Sequence, residues 1–380
     1  MGGRGAGGRT RVRRRAAGLR RRGDPLGTGR RRAHRLTSAG DEHPTRWPLA
    51  PYVRDVPLSA RPTSERPAEA GAGYLHHRQW LSYQEFFPGG LRLTAETAPD
   101  EQWWRWRGMD VHLDRVARPD APAKLVALHG AGGYGRMLAP YGRLPSLYDL
   151  DYLAPDLPGF GLTDPGRNHV TYRTWVECVA ALLERERRTD PRPVVLLGVG
   201  TGGRLAYDVA AAAGSVAGVV VTCLADPRRG EVRRRLAVRP ELGQWSGLLS
   251  LAPWPLRQAR VPVHWLANVA AVSNNVKFAE LVWADALGGG NWISLSFVRS
   301  YLAGAPVTEP EEFRGPPVLL AHPDEDRWIP TSLSTRFFDR IAGPTRFAAL
   351  RGGGHLPVEE IALADLDRAV RDFLDELGLT

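Results

Sequence analysis

The sequence is poor in cysteine and lysine and has no long apolar run. Cys178 and Cys223 are its only cysteines, too few for a disulfide framework. They fall in segments that read as a helix and a strand, and are expected as buried free thiols. Of 51 basic residues only Lys124 and Lys277 are lysines, a bias that points to coding composition and not to phosphate recognition. No stretch approaches the roughly 18 uninterrupted apolar residues of a membrane span, so no membrane partner is expected and the expected location is cytoplasmic. His76, His77, His112, His169 and His264 lack i,i+4 or cysteine-paired spacing, which leaves no metal-binding pattern, and no cofactor is expected.

What the sequence does have is a net charge of +10, very unevenly placed. Residues 1–40 hold thirteen arginines and a single acid, Asp24, a balance of +12, so the other 340 residues sum to −2. The basicity belongs to an Arg/Gly/Pro-rich tail, residues 1–73, that has no apolar periodicity and is expected to be disordered. Arg13-Arg14-Arg15 and Arg20-Arg21-Arg22 fit a nucleic-acid or membrane contact or a simple solvated tail. No apolar core follows them, as a twin-arginine signal requires. The folded body therefore gives no sign of a nucleic-acid partner; a small-molecule substrate or ligand is the expected one.

From residue 102 strands and helices alternate. Strand-like runs occupy 102–107, 109–116, 124–129, 151–155, 193–198, 216–224, 317–322 and 345–350. Helical periodicity covers about 171–188, 331–341 and a final stretch to about 377. This rhythm predicts an α/β protein with a mostly parallel, doubly wound sheet and helices on both faces. It breaks over 227–314, a Trp- and Pro-rich insertion with a helix-like stretch at 270–287. The insertion divides the core into 74–226 and 315–380 and is expected to form a helical lid. Trp245, Trp254, Trp265, Trp283 and Trp292 would give that lid an apolar roof and favour a hydrophobic substrate.

The chain is organised around Val194-Val195-Leu196-Leu197-Gly198-Val199-Gly200-Thr201-Gly202-Gly203, a buried strand that ends in a glycine cluster and opens a helix. Residues 198, 200 and 202 are spaced as in a nucleophile elbow, whose centre should carry Ser, Cys or Asp. Here the centre is Gly200. Four further loops, each after a strand, accompany it: His129-Gly130-Ala131-Gly132, Asp156-Leu157-Pro158-Gly159-Phe160-Gly161, Asp326-Arg327-Trp328-Ile329-Pro330 and Gly353-Gly354-His355-Leu356-Pro357. In this order the five motifs resemble those of the α/β-hydrolase fold superfamily over about residues 100–377.

That resemblance implies a hydrolase-type site. His355 would be the base and Asp326 the carboxylate that orients it, with Asp324 and Asp226 as alternative acids. The N–H groups of Ala131 and Thr201 would form the oxyanion hole, and Gly130, Gly132, Val199 and Trp328 would contact the substrate. The Thr201 side chain is expected to point away from that hole.

With Gly200 in the nucleophile's place, serine-type ester hydrolysis is chemically disfavoured, since loss of a triad serine costs about a million-fold in turnover. Two readings follow. Either His355 and Asp326 act without a covalent intermediate, or the activity is lost or trapped at this step. The alternatives are a non-catalytic ligand-binding relative and a dinucleotide-binding oxidoreductase. The dinucleotide fingerprint fits twice, at 198–203 and 130–135, and no acid follows at the required distance of about 20 residues. On the sequence alone, Gly200→Ser should raise ester turnover by orders of magnitude.

Overall fold

The computed structural model describes Gly2, residues 73–245 and residues 259–380; the predicted tail, Gly2 and Gly73 apart, lies outside them. Among the described residues ten strands follow in chain order: β1 (Asp100–Trp106), β2 (Met109–Val116), β3 (Lys124–Leu128), β4 (Asp151–Pro155), β5 (Val194–Gly198), β6 (Val216–Val221), β7 (Arg260–Pro262), β8 (Trp292–Ser294), β9 (Val318–Pro323) and β10 (Thr345–Leu350). Eight form one sheet in the order β1-β2-β4-β3-β5-β6-β9-β10, in which only the β1–β2 and β2–β4 pairings are antiparallel. β7 and β8 pair with each other as a separate ribbon. β1 and β2 are joined by the two residues Arg107 and Gly108, both at positive φ (45° and 79°), as a tight hairpin turn requires. β3, β4 and β5 are buried along their whole length, as parallel strands covered on both faces must be.

Two helices show how both faces are covered. A Cβ placed on Gly218 of β6 would meet Phe373 and Leu377 of the C-terminal helix, Glu360–Leu377, while Val221 of the same strand lies against Gly203 of the helix Thr201–Ala213. Residues 218 and 221 point to opposite sides of a strand, so the two helices flank the sheet. The helix Tyr172–Thr189 starts at a reciprocal Thr171–Thr174 capping box and buries Trp175, Val179, Leu182 and Leu183 as one stripe. The strand expected over 216–224 stops at Val221, which leaves Cys223 in the loop beyond it.

The insertion crosses the carboxyl ends of the strands. Leu356 N–H donates to Val272 O (2.8 Å), Asn274 Nδ2 to Glu325 O (3.1 Å) and Asn291 Nδ2 to Gly159 O (3.0 Å). Its helix at the expected 270–287 is shorter, Val276–Ala284, and is capped by Asn275. Residues 74–93, to which the sequence assigned no elements, strap this insertion to the core: Tyr83 and Tyr134 each donate a phenol proton to the buried Asp285 carboxylate (2.7 and 2.8 Å). Among the described residues no helix is long and apolar enough to cross a membrane.

Beneath the strap lies a buried charge cluster. Arg136 makes a two-pronged bond to Asp114 (2.6 Å each), and its guanidinium sits over the Tyr74 ring at 4.8 Å. His112 Nε2 is 3.0 Å from Glu101. Its Nδ1 is 3.1 Å from Asp156 Oδ2, an ion-pair contact not aligned as a hydrogen bond. Burial alone would hold the His112 imidazole neutral, but the carboxylates of Asp156, Glu101 and Asp114 carry its pKa up to about 10.

A histidine titrates near 6.5 when unfolded. The stabilisation from His112 should therefore be complete below about pH 6.5 and be lost as pH rises toward 10. The melting temperature should fall across that window more steeply for the native chain than for His112→Gln; parallel profiles would contradict the assignment.

Candidate active site

The elbow is built by close packing. A Cβ on Gly202 would lie 2.1 Å from Leu128 O and one on Gly203 2.1 Å from Cys223 O, so only glycine lets the helix start this near the sheet. Gly200 has φ 58° and ψ −126°, the strained conformation that a nucleophile has to tolerate at such a turn. Its N–H donates to Thr222 Oγ1 (3.2 Å). Residue 200 thus has the backbone of such a turn and no side chain.

His355 faces this turn. Its loop is held by Tyr141 Oη donating to Pro357 O (2.7 Å) and by Leu356 N–H on Val272 O. Nδ1 lies 2.7 Å from Asp326 Oδ2, while Asp326 Oδ1 accepts the N–H groups of Trp328 and Ile329, each at 2.8 Å. A carboxylate fixed in this way orients the imidazole with Nδ1–H toward it and the Nε2 lone pair toward the elbow. A Cβ on Gly200 would lie 2.8 Å from Nε2. Trp328 packs against the His355 ring, centroids 4.8 Å apart. The alternative acids are engaged elsewhere: Asp324 accepts from Gly352 N–H, and Asp226 pairs with Arg228.

The far side of the site differs from expectation. Ala131 N–H donates to Thr201 Oγ1 at 2.8 Å. The threonine side chain thus turns toward the expected oxyanion hole, not away from it, and takes up one of its two donors. The cause is the missing Cβ of Gly130: one there would lie 2.5 Å from Thr201 Oγ1. Among the described residues Thr201 makes no hydrogen bond to His355.

His129 anchors this loop, accepting Leu157 N–H at Nε2 (2.9 Å) and bonding Gly130 O through Nδ1 (2.8 Å). Burial pushes its pKa down to about 4, so it is a neutral bracket at physiological pH.

A narrow pocket of about 10 Å³, room for about one water, opens at the elbow. Gly200, Thr201, Arg204 and His355 line it from the core, and Val232, Leu236 and Tyr301 from the insertion. Cys223 also lines it, but burial pushes its thiol up to about 12, so it is no thiolate nucleophile.

Residues 125–370 match the profile of the alpha/beta hydrolase family. The chain belongs to this family. Its fold is similar to a soluble variant of monoglyceride lipase from Saccharomyces cerevisiae (TM-score 0.62, 15% identity, covering 77% of this chain and 98% of that one). It is also similar to a thermostable carboxyl esterase from Bacillus coagulans (TM-score 0.59, 14% identity, 74% and 99%) and to a monoacylglycerol lipase from Paleococcus ferrophilus (TM-score 0.56, 19% identity, 70% and 99%). At such identities the likeness establishes the fold. A search of the curated proteins returns no match. The fold is therefore the α/β-hydrolase fold.

Within this hydrolase-family site, Gly130, Gly132, Val199 and Trp328, the expected substrate contacts, are not among the residues lining the elbow pocket. Val199 is buried, and Trp328 serves the dyad by packing on His355. Among the described residues no tryptophan of the insertion lines that pocket: Trp265 is 54% exposed, Trp283 packs on His264 and Trp292 is half-buried in β8, while the side chain of Trp245 and the whole of Trp254 lie outside the described residues. The described insertion residues that line it are Val232, Leu236 and Tyr301. Sequence reasoning missed Arg204 altogether; its place three residues after Thr201, on the face of the helix turned to the elbow, was the available signal.

Proposed function

We propose that the protein is a proton-transfer enzyme of the hydrolase superfamily, in which the Asp326–His355 dyad acts as general base on water or on a substrate proton without a covalent acyl-enzyme. The observation that carries this reading is the position of Nε2, tied through Nδ1 to Asp326 at 2.7 Å and aimed at a turn with no side chain of its own. Water or an acidic substrate C–H placed over Gly200 is within reach of that nitrogen, and hydrolysis or carbon–carbon cleavage of a small, largely apolar substrate is the chemistry such a base supports. Asp326 holds the tautomer and stabilises the imidazolium that forms.

A positioned general base contributes about 10²–10⁴ in rate. In a panel of activated esters and 1,3-diketones, any substrate the native chain turns over should therefore lose that factor in His355→Ala while its binding is kept. Equal turnover by the variant overturns the reading. One observation favours a second reading, that of a non-catalytic ligand-binding relative: Thr201 Oγ1 already occupies the Ala131 N–H that would stabilise an oxyanion. A binder of that kind shows no turnover in either chain and tolerates His355→Ala.

A further inference from the structure

His322 stands one residue before the end of β9, and the mechanism above does not use it. It is fully buried, and burial pushes its pKa down, so the ring is neutral. Nδ1 lies 2.8 Å from Pro323 O and 3.2 Å from Thr331 Oγ1, and Nε2 lies 2.9 Å from Ser334 Oγ. A carbonyl oxygen only accepts, so Nδ1 carries the ring proton and Nε2 accepts from the Ser334 hydroxyl. Ser334 Oγ in turn accepts Leu224 N–H (3.1 Å), beyond the end of β6. Pro323 and Thr331 bound the segment that carries Asp326: β9 stops at the first, and the helix Thr331–Phe338 starts at the second. One imidazole therefore closes the mouth of the acid loop. The same device braces the loop that carries Ala131, where buried His129 follows β3, bonds Gly130 O through Nδ1 and accepts Leu157 N–H at Nε2.

We propose that His322 is a positioning residue for the dyad: by joining Pro323 to Thr331 it fixes where the Asp326 carboxylate stands, and so which nitrogen of His355 carries the proton. This rests on the proposed proton-transfer site and adds to it the residue that sets its acid. Asp326 Oδ2 meets His355 Nδ1 at 2.7 Å, and that contact selects the tautomer whose Nε2 can accept a proton at the elbow. A loop that opens at its mouth carries the carboxylate away, and the Nε2–H form, which is no base toward Gly200, gains population. The Nδ1 side of His322 does this work, since it holds both bounds of the loop. The Nε2–Ser334 bond acts one turn further along the helix.

Nitrogen NMR of the full chain with labelled histidine, in alkaline buffer, tests this; the His355 signals are those lost in His355→Ala. In the native chain that ring should be in the Nδ1–H form. His322→Gln keeps an acceptor for Ser334 but loses the Nδ1 donor, and should give a mixture with the Nε2–H form. His322→Asn keeps a donor at the Nδ1 position but loses the Ser334 bond, and should preserve the native form. On any substrate the native chain turns over, kcat should fall by about tenfold or more in His322→Gln at unchanged KM, and hold in His322→Asn. Each variant gives up one buried hydrogen bond, so urea unfolding should show similar losses of stability in the two. A merely structural histidine would therefore alter His355 equally in both, and that result overturns the inference. So does a His355 ring that stays in the native form in His322→Gln. Should that variant not fold, Thr331→Val, which removes only the hydroxyl beside Nδ1, takes its place with the same expected shift and the same overturning result. The tautomer is read without turnover: if His355→Ala leaves turnover unchanged, the proton-transfer reading falls and the positioning role stands.

Discussion

On p-nitrophenyl acetate, Gly200→Ser alone should raise turnover only modestly, and Gly200→Ser with Thr201→Ala should exceed it by about 10²–10³. The sequence suggests that a serine at 200 is all the site lacks; the structure shows two deficits. A serine Cβ would approach His355 Nε2 to 2.8 Å, so the imidazole has to retreat by a few tenths of an ångström against its Asp326 tether. That is an affordable movement, because Nε2 is the far tip of a side chain. The larger deficit is the hydroxyl of Thr201 on Ala131 N–H, which deprives a tetrahedral intermediate of one of two backbone donors. Removing one such donor costs about 10²–10³ in kcat, and that is the factor Thr201→Ala should return. Single and double variants of equal activity would mean that Thr201 swings aside when substrate binds.

Arg136→Met should destabilise the fold by about 3–5 kcal/mol, measured by urea unfolding. Its partner Asp114 is fully buried and receives both prongs of the guanidinium, so the substitution leaves a carboxylate without its counter-charge. Loss of the guanidinium placed over the Tyr74 and Trp80 rings adds to the effect. Arg105→Met is the comparison: Arg105–Asp110 is just as short, at 2.7 Å, but its side chains are 65% and 54% exposed, and pairs of this kind contribute about 0–1 kcal/mol. If both substitutions cost the same, the buried Arg136–Asp114 pair adds no more to stability than an exposed one.

The strands and the elbow were legible because their signals are local. Continuous apolar runs mark buried parallel strands, and the glycines at 198, 202 and 203 mark a backbone approach that no other residue permits. His355 and Asp326 could be picked out since each follows a strand in a loop whose residue types suit its role. What stayed hidden depends on contacts between distant segments. The direction of the Thr201 side chain is set by Gly130, 71 positions earlier in the chain, and Arg204 is buried against an Asp208 that also accepts from Tyr172 and Val307, far off in the chain. Trp265 and Trp283 turn away from the elbow pocket; an aromatic stripe carries no record of which way it faces. His112 gave no hint of its charge, since three of the carboxylates around it come from three different strands or strand ends: Glu101, Asp114 and Asp156.

The central claim is that this site moves protons and forms no bond to its substrate. Intact-mass measurement after incubation with a fluorophosphonate, on the native chain and on Gly200→Ser/Thr201→Ala, tests it most directly. The account predicts no adduct on the native chain and one adduct per molecule on the double variant, at residue 200. A stoichiometric adduct on the native chain, at Thr201 or elsewhere in the pocket, would contradict it.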